Sequence, residues 1–255
     1  MRIKESKIFL NMHKRLENAI NDYGMIDDGD HIVVALSGGK DSSMLLRLMS
    51  RKKIMVKENF KLSACFIRQG FHNDGEKEEY LKEICEDHGV EFHVVERSLE
   101  KDLLESKESK SVCYTCSRFR RMELFRLAEK IGAKTLAFGH HRDDFIQTLL
   151  MNMFLSSQIG SMKPNNPFFG GKMKLIRPMV YIHEYQVRKE ANETGIRSFD
   201  SGCEHSQHNN REWVKELLKD LYKRDPAIKK SLFRSLFSCD TDYLLKKPSS
   251  SSVIK

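Results

Sequence analysis

No apolar stretch in this 255-residue chain approaches the length that spans a bilayer, and the opening Met1-Arg-Ile-Lys-Glu-Ser-Lys7 has no hydrophobic signal-peptide core. Both absences lead us to expect a cytoplasmic protein that makes no membrane contact. Proline occurs only five times, and low-complexity sequence is confined to Ser249–Ser252 and the last residues, the only part expected to be disordered. Tryptophan occurs once, at Trp213, where packing is the expectation rather than base stacking. No internal repeat divides the chain. Its length suits one principal domain with an appendage. Six cysteines in a reducing compartment are expected as thiols, available as metal ligands or nucleophiles rather than paired in disulfides.

The composition is that of a soluble globular protein, 40% hydrophobic and 31% charged, and the formal charge of +8 makes nucleic acid the first acidic partner to consider. After an amphipathic N-terminal helix over 9–23, β-type runs at 32–36, 62–68, 90–96, 135–138 and 175–180 alternate with helical patterns. That alternation predicts βαβ units and a parallel sheet. Helices over 76–88 and 117–131 end at Gly89 and Gly132, where C-caps belong. Residues 160–174 read as an irregular connection. The division expected is an N-terminal helical segment (1–28), a nucleotide-type α/β domain (29–200), a helical region carrying Cys203 (201–240) and a tail (241–255).

Ser37-Gly38-Gly39-Lys40-Asp41-Ser42 follows the first run and opens a helix. Two glycines admit close backbone approach, and a helix N-terminus supplies unpaired N–H groups, so the turn suits a polyphosphate. It is not the mononucleotide P-loop, because Lys40 precedes Asp41 and no glycine stands five residues before Gly39. In an open α/β sheet the loops at the carboxyl ends of strands share one crevice. Gly139-His140-His141-Arg142-Asp143-Asp144 should therefore lie beside the glycine loop, where the aspartates could hold Mg²⁺ or merely cap the next helix. Cys113-Tyr-Thr-Cys116, with Cys203 and His205 further on, is compatible with zinc, an iron-sulfur cluster or a redox dithiol. Cys65 and Cys85 read as small buried residues, and Cys239 has no assigned role. Arg118, Arg120 and Arg121 could neutralise phosphates, as could the lysines and arginines of the last helices, which are interrupted by acidic residues and read equally as a solvated face.

Ser37-Gly-Gly-Lys-Asp-Ser42 resembles the PP-loop of the ATP pyrophosphatases, which cleave ATP between its α and β phosphates. Cys113-x-x-Cys-Ser-Arg-x-Arg-Arg121, Gly139-His-His-Arg-Asp-Asp-x-x-Gln-Thr-Leu149, Asn152-Met-Phe154, Ile176-Arg-Pro178 and Ser206-Gln207 after Cys203 resemble, in order, the tRNA 2-thiocytidine synthetase family. The resemblance implies a doubly wound parallel sheet of the adenine nucleotide alpha hydrolase type. It also implies ATP at Ser37, Gly38, Gly39, Lys40, Asp41, Ser42, Phe66, Gly139 and His140, with Mg²⁺ at Asp143 and Asp144. A [4Fe-4S] cluster would sit on Cys113, Cys116 and Cys203, with one iron left for a sulfur species. Lys40, Asp41 and these cysteines would be catalytic, and Arg118, Arg120 and Arg121 would meet tRNA. The implied reaction adenylates the C2 oxygen of an anticodon-loop cytidine and replaces it with sulfur. A sulfur donor such as a cysteine desulfurase and a homodimer are further implications. Two departures stand out: the second cysteine site holds Cys203 alone, and Arg68-Gln-Gly-Phe71 is short. Thiolation of a uridine is the near alternative. Lysidine-type ligation fits the His-His-x-Asp-Asp pattern but not the cysteines, and a zinc-stabilised nucleic-acid-binding module on Cys113, Cys116, Cys203 and His205 is the non-enzymatic one.

Overall fold

In the computed structural model, which describes residues 5–55, 59–97, 112–200, 210–238 and 240–245, six strands form one sheet. They are β1 (His31–Leu36), β2 (Lys61–Arg68), β3 (Glu91–Glu96), β4 (Thr135–Ala137), β5 (Asn165–Phe168) and β6 (Met173–Ile176). The order across the sheet is β3-β2-β1-β4-β6-β5. Every neighbouring pair is parallel except β5 with β6 at the edge. In the middle strand Ile32, Val33 and Val34 are all fully buried, the continuous apolar run that a strand covered on both faces requires.

Parallel strands cannot be joined by hairpins, so helices make the crossovers. These are α2 (Lys40–Met55), α3 (Asp74–Asp87), α4 (Val112–Lys130) and α5 (Arg142–Ser156). Four more complete the layers: α1 (Lys7–Asp22), α6 (Glu184–Thr194), α7 (Asn210–Arg224) and α8 (Ala227–Ser235). Alternating strand residues feed two cores. Ile32, Val34 and Leu36 join the larger one with residues of α1, α2, α3, α5 and α6, while Val33 packs with Leu124, Phe125 and Ala128 of α4. Helices thus cover both faces, the doubly wound arrangement expected.

α1 starts where the Ser6 hydroxyl accepts the Phe9 N–H at 3.0 Å. Its buried Phe9, Met12, Leu16, Ala19 and Ile20 recur every three or four residues, so the N-terminal helix is packed into the main core.

The sheet differs from expectation at its far edge. The run expected over 175–180 ends as a strand at Ile176, because Pro178 has no N–H to donate and residues 177–180 turn, with Val180 N–H donating to the Arg177 carbonyl at 3.2 Å. The segment 160–174, expected as irregular, contains β5. Its Pro167 pairs with Lys174 on the outermost strand, the position where a missing donor is tolerated. α4 begins at Val112, five residues before the expected start, and so takes in the Cys-x-x-Cys turn.

Stepping outward from β1, the chain lays down β2 and β3 on one side and then β4 on the other. The reversal between β1 and β4 opens a crevice at their carboxyl ends, where both sequence-predicted loops emerge.

Candidate active site

The loop after β1 is held open by its own hydroxyls. Gly38 takes φ +78°, a left-handed conformation that favours glycine. Ser42 Oγ donates to the Gly39 carbonyl at 2.9 Å and accepts the Ser37 N–H at 3.2 Å, and Ser37 Oγ accepts the Gly39 N–H at 3.3 Å. The turn leads directly into α2, whose first residue is Lys40. Lys40 Nζ lies 3.1 Å from Asp41 Oδ2, leaving Asp41 Oδ1 buried without a hydrogen-bond partner.

Gly139 locks the second loop against the first. A Cβ there would lie 2.9 Å from the Asp41 carbonyl oxygen and 3.1 Å from the Ser42 nitrogen, so only glycine permits this approach. The loops are joined further by His141, whose Nε2 is 3.9 Å from Asp41 Oδ1 and whose Nδ1 is 3.3 Å from Asp144 Oδ2. His140 stacks on Phe138 at 5.7 Å, and burial, ahead of its neighbouring charges, pushes its pKa down to about 4. Its ring is therefore neutral at physiological pH.

The two aspartates part ways. Asp144 accepts the His141 N–H at 2.9 Å and pairs with Arg211 at 2.9 Å, at the side of Asp41. Asp143 is turned toward α6 and α8, where its oxygens take the Glu184 N–H at 2.9 Å and Lys229 Nζ at 2.5 Å. Burial works to raise its pKa, but the Glu184 N–H and the Lys229 ammonium outweigh burial and hold it below the usual range. The two aspartates expected at Mg²⁺ thus have different partners here, Asp143 between α6 and α8 and Asp144 beside Arg211 and His141. Phe66, expected at the nucleotide, lies toward the end of β2. Its side chain is buried in the main core.

On α4, Cys116 is half-buried and its Sγ accepts a hydrogen bond from Gln69 Nε2 at 3.0 Å. Cys113 sits in the same opening turn, and Cys203 and His205 lie outside the described residues. Among the described residues no cluster of three metal-ligating side chains forms. Burial pushes the Cys65 and Cys85 thiols up to about 12, so neither is reactive. Arg118 is exposed while Arg120 and Arg121 are partly buried, all three following the cysteines along α4.

Sequence reasoning missed the groups that connect these parts. Asp74 Oδ2 collects the N–H groups of Gln69, Gly70 and Phe71 at 2.8, 2.9 and 3.0 Å. The buried Lys77 ammonium lies 3.8 Å from Asp74 Oδ1, and the Lys77 stem would be 3.1 Å from a Cβ on Gly38. Cys116 is thereby linked to the phosphate loop through Gln69, Asp74 and Lys77. Residues 196–200 cross the same loop: Phe199 N–H donates to the Gly38 carbonyl at 3.0 Å, and Lys40 N–H donates to Ser198 Oγ at 3.4 Å. Lys77 sits in the charge-rich helix expected over 76–88, and no signal pointed to it. Trp213, expected to pack rather than to stack on a base, is half-exposed against Phe154. In the last helices Lys215 and Lys223 pair with Glu212 and Asp220.

Comparison with known proteins gives a consistent result. The chain is 33% identical over 251 residues to the tRNA-cytidine(32) 2-sulfurtransferase of Geotalea uraniireducens (strain Rf4), spanning 97% of this chain and 98% of the relative. It is 36% identical over 235 residues to the tRNA-cytidine(32) 2-sulfurtransferase of Chromobacterium violaceum, spanning 91% and 72%. Among solved structures, the U34-tRNA thiolase NcsA from Methanococcus maripaludis with its [4Fe-4S] cluster shares the fold, with a TM-score of 0.71, 23% identity, and coverage of 90% of this chain and 78% of that one. Residues 9–221 match the PP-loop domain family. With its two loops meeting at the β1/β4 switch and relatives aligned along nearly its whole length, the chain belongs to the PP-loop family, and within it to the family of the tRNA-cytidine(32) 2-sulfurtransferases.

Proposed function

We propose that the protein is an ATP-dependent tRNA sulfurtransferase that converts an anticodon-loop cytidine to 2-thiocytidine. The observation that carries this reading is the contact path from Cys116 through Gln69, Asp74 and Lys77 to Gly38, which puts a thiol-bearing helix and a phosphate loop in one crevice. The named activity of the curated relatives supports the substrate.

ATP would lie with its β and γ phosphates on the N–H groups of the glycine loop and the first turn of α2, beside Lys40. Asp41, whose Oδ1 has no hydrogen-bond partner, and Asp144 are the carboxylates offered to Mg²⁺. The C2 oxygen of cytidine attacks the α phosphorus, the P–O bond to the β phosphate breaks, and pyrophosphate leaves stabilised by Lys40. A sulfur nucleophile then bonds to C2, and AMP departs with the electron pair of the C2–O bond. Adenylation is needed because the exocyclic oxygen of a delocalised pyrimidine is otherwise a poor leaving group. Cys113, Cys116 and Cys203 would hold a [4Fe-4S] cluster, which when bound supplies an open iron for sulfur. The Gln69 N–H on Cys116 Sγ fits that role, since a thiolate ligand gains from a donor. The base has to be unstacked to enter, which a single-stranded loop allows cheaply.

Nucleoside mass spectrometry of tRNA from a strain lacking the gene tests the assignment. Loss of 2-thiocytidine is expected. Unchanged 2-thiocytidine would overturn it, and loss of a thiouridine instead would move the activity to a uridine. Iron and sulfide in anaerobically purified protein are also expected; a colourless, zinc-loaded protein would favour the binding-module reading.

A further inference from the structure

Two arginines, one following β6 and one on α4, have no carboxylate partner among the described residues. Arg177 follows β6 and is only 7% exposed; its Nη1 donates to the Lys163 carbonyl at 2.7 Å, and its Nε is buried with no partner. Arg121, on α4, likewise has a buried Nε without a partner. Among the described residues neither forms an ion pair. Burial first, and the like charge of Arg121 second, push the Arg177 pKa down to about 10, so the two cations feel each other across a poorly solvated space. The carboxylate whose charge reaches Arg177 is Asp144, already engaged by Arg211 and by the His141 N–H. His140 adds a further buried, unpartnered nitrogen, Nδ1, and its burial first, with Arg177 and Arg211 as lesser causes, keeps it neutral.

Buried like charges without a counter-ion are costly, and planar guanidiniums with open N–H groups match a tetrahedral oxyanion. On the reading above, the pyrophosphate end of ATP is provided for by the glycine loop and Lys40. We propose that Arg121 and Arg177, with His140 at their side, form a second phosphate site in the crevice, one that takes a phosphate ester distinct from the departing pyrophosphate. The inference rests on the tRNA-modifying reading above. That chemistry offers two sources of such a group, a backbone phosphate flanking the unstacked base and the α phosphate retained in the adenylate.

Arg177→Met and Arg121→Met, each in the full-length holoenzyme, distinguish them. Binding of an unmodified tRNA transcript is measured against salt, and the KM for ATP is measured by pyrophosphate release. A backbone phosphate predicts tRNA affinity weakened about tenfold, a log K against log salt slope shallower by about 0.7 to 1, and an unchanged KM for ATP. The adenylate phosphate predicts a KM for ATP raised about tenfold with tRNA affinity unchanged. Either pattern supports the site. If both variants keep wild-type tRNA affinity, salt slope and KM, the proposal is overturned. Should Arg177→Met fail to fold through loss of its bond to Lys163, Arg121→Met decides, because that side chain is partly exposed on a helix. A wild-type protein that binds neither tRNA nor ATP would instead overturn the functional reading itself.

Discussion

Gly139 shows how a single residue sets the geometry of the crevice. The loop after β4 can reach the loop after β1 only because no side chain stands between them; a methyl group would meet the Asp41 carbonyl oxygen at 2.9 Å. Backbone on both sides leaves nothing flexible to give way, so Gly139→Ala should push the loops apart, costing about 1–3 kcal/mol of stability and raising the KM for ATP more than tenfold. Thermal melts and pyrophosphate-release kinetics check both effects, and a wild-type KM would refute the close-approach argument. Lys40 separates chemistry from assembly. Its ammonium pairs with Asp41 in the phosphate loop, so Lys40→Ala should reduce thiolation by at least about 10²-fold while leaving iron content unchanged. Iron loss in that variant would place Lys40 in the cluster's support instead. Asp143 illustrates the opposite lesson. Adjacent carboxylates on one helix look equivalent in sequence, yet consecutive residues point about 100° apart around the axis, so α5 aims Asp144 at the crevice and Asp143 at Lys229.

Elements were legible in the sequence in proportion to their hydrophobic pattern. β1 and β2 are continuous apolar runs flanked by polar turns, and both appear within a residue of where the pattern puts them. β5, Asn165–Phe168, carries a proline and two asparagines and was not legible: an edge strand pairs on one side only, and its place is fixed by β6 rather than by its own propensity. The start of α4 was hidden for a related reason, because the Cys-x-x-Cys turn has no apolar periodicity of its own. Tertiary ties among helices were equally silent. Glu190 of α6 is fully buried, accepts Arg47 Nη1 of α2 at 2.8 Å and takes the hydroxyl of Ser6, the α1 cap. One carboxylate thus joins three helices, and removing its charge leaves Arg47 facing an uncompensated site. Glu190→Gln should cost about 3 kcal/mol, a fall in Tm of roughly 10 °C, with the KM for ATP little changed. A fall in Tm below about 2 °C would mean that the pair contributes no more than an exposed one.

Across the whole molecule, the order of the motifs was enough to place the two loops in one crevice, because strand topology dictates that loops after β1 and β4 meet. The supporting shell of Gln69, Asp74, Lys77 and Ser198 was not readable, since each sits in a stretch whose composition suits an ordinary helix or loop. Histidines extend that point from contacts to the stability of the entire fold. Burial lowers the pKa of His13, His31, His88, His140 and His183, the last two to about 4. His183 Nε2 also contacts Arg142 Nη1 at 3.2 Å, an interaction in which only a neutral imidazole can accept. For each of these groups the folded pKa is below the unfolded value near 6.5, so in the acid range the unfolded chain binds protons that the native state refuses. Stability is then fully present above about pH 6.5 and is lost as pH falls through the window down to about 4. Asp143 does not confuse this window, because its lowered pKa removes stability only below the ordinary carboxylate range. The Tm should accordingly be level from pH 8 to 7 and fall progressively between pH 6.5 and 4.5, at constant ionic strength. In His183→Gln, which retains an acceptor for Arg142 and cannot titrate, the acid slope should be shallower than in the wild type. Equal slopes in the two proteins would remove His183 from the account and leave the acid sensitivity to the other four rings.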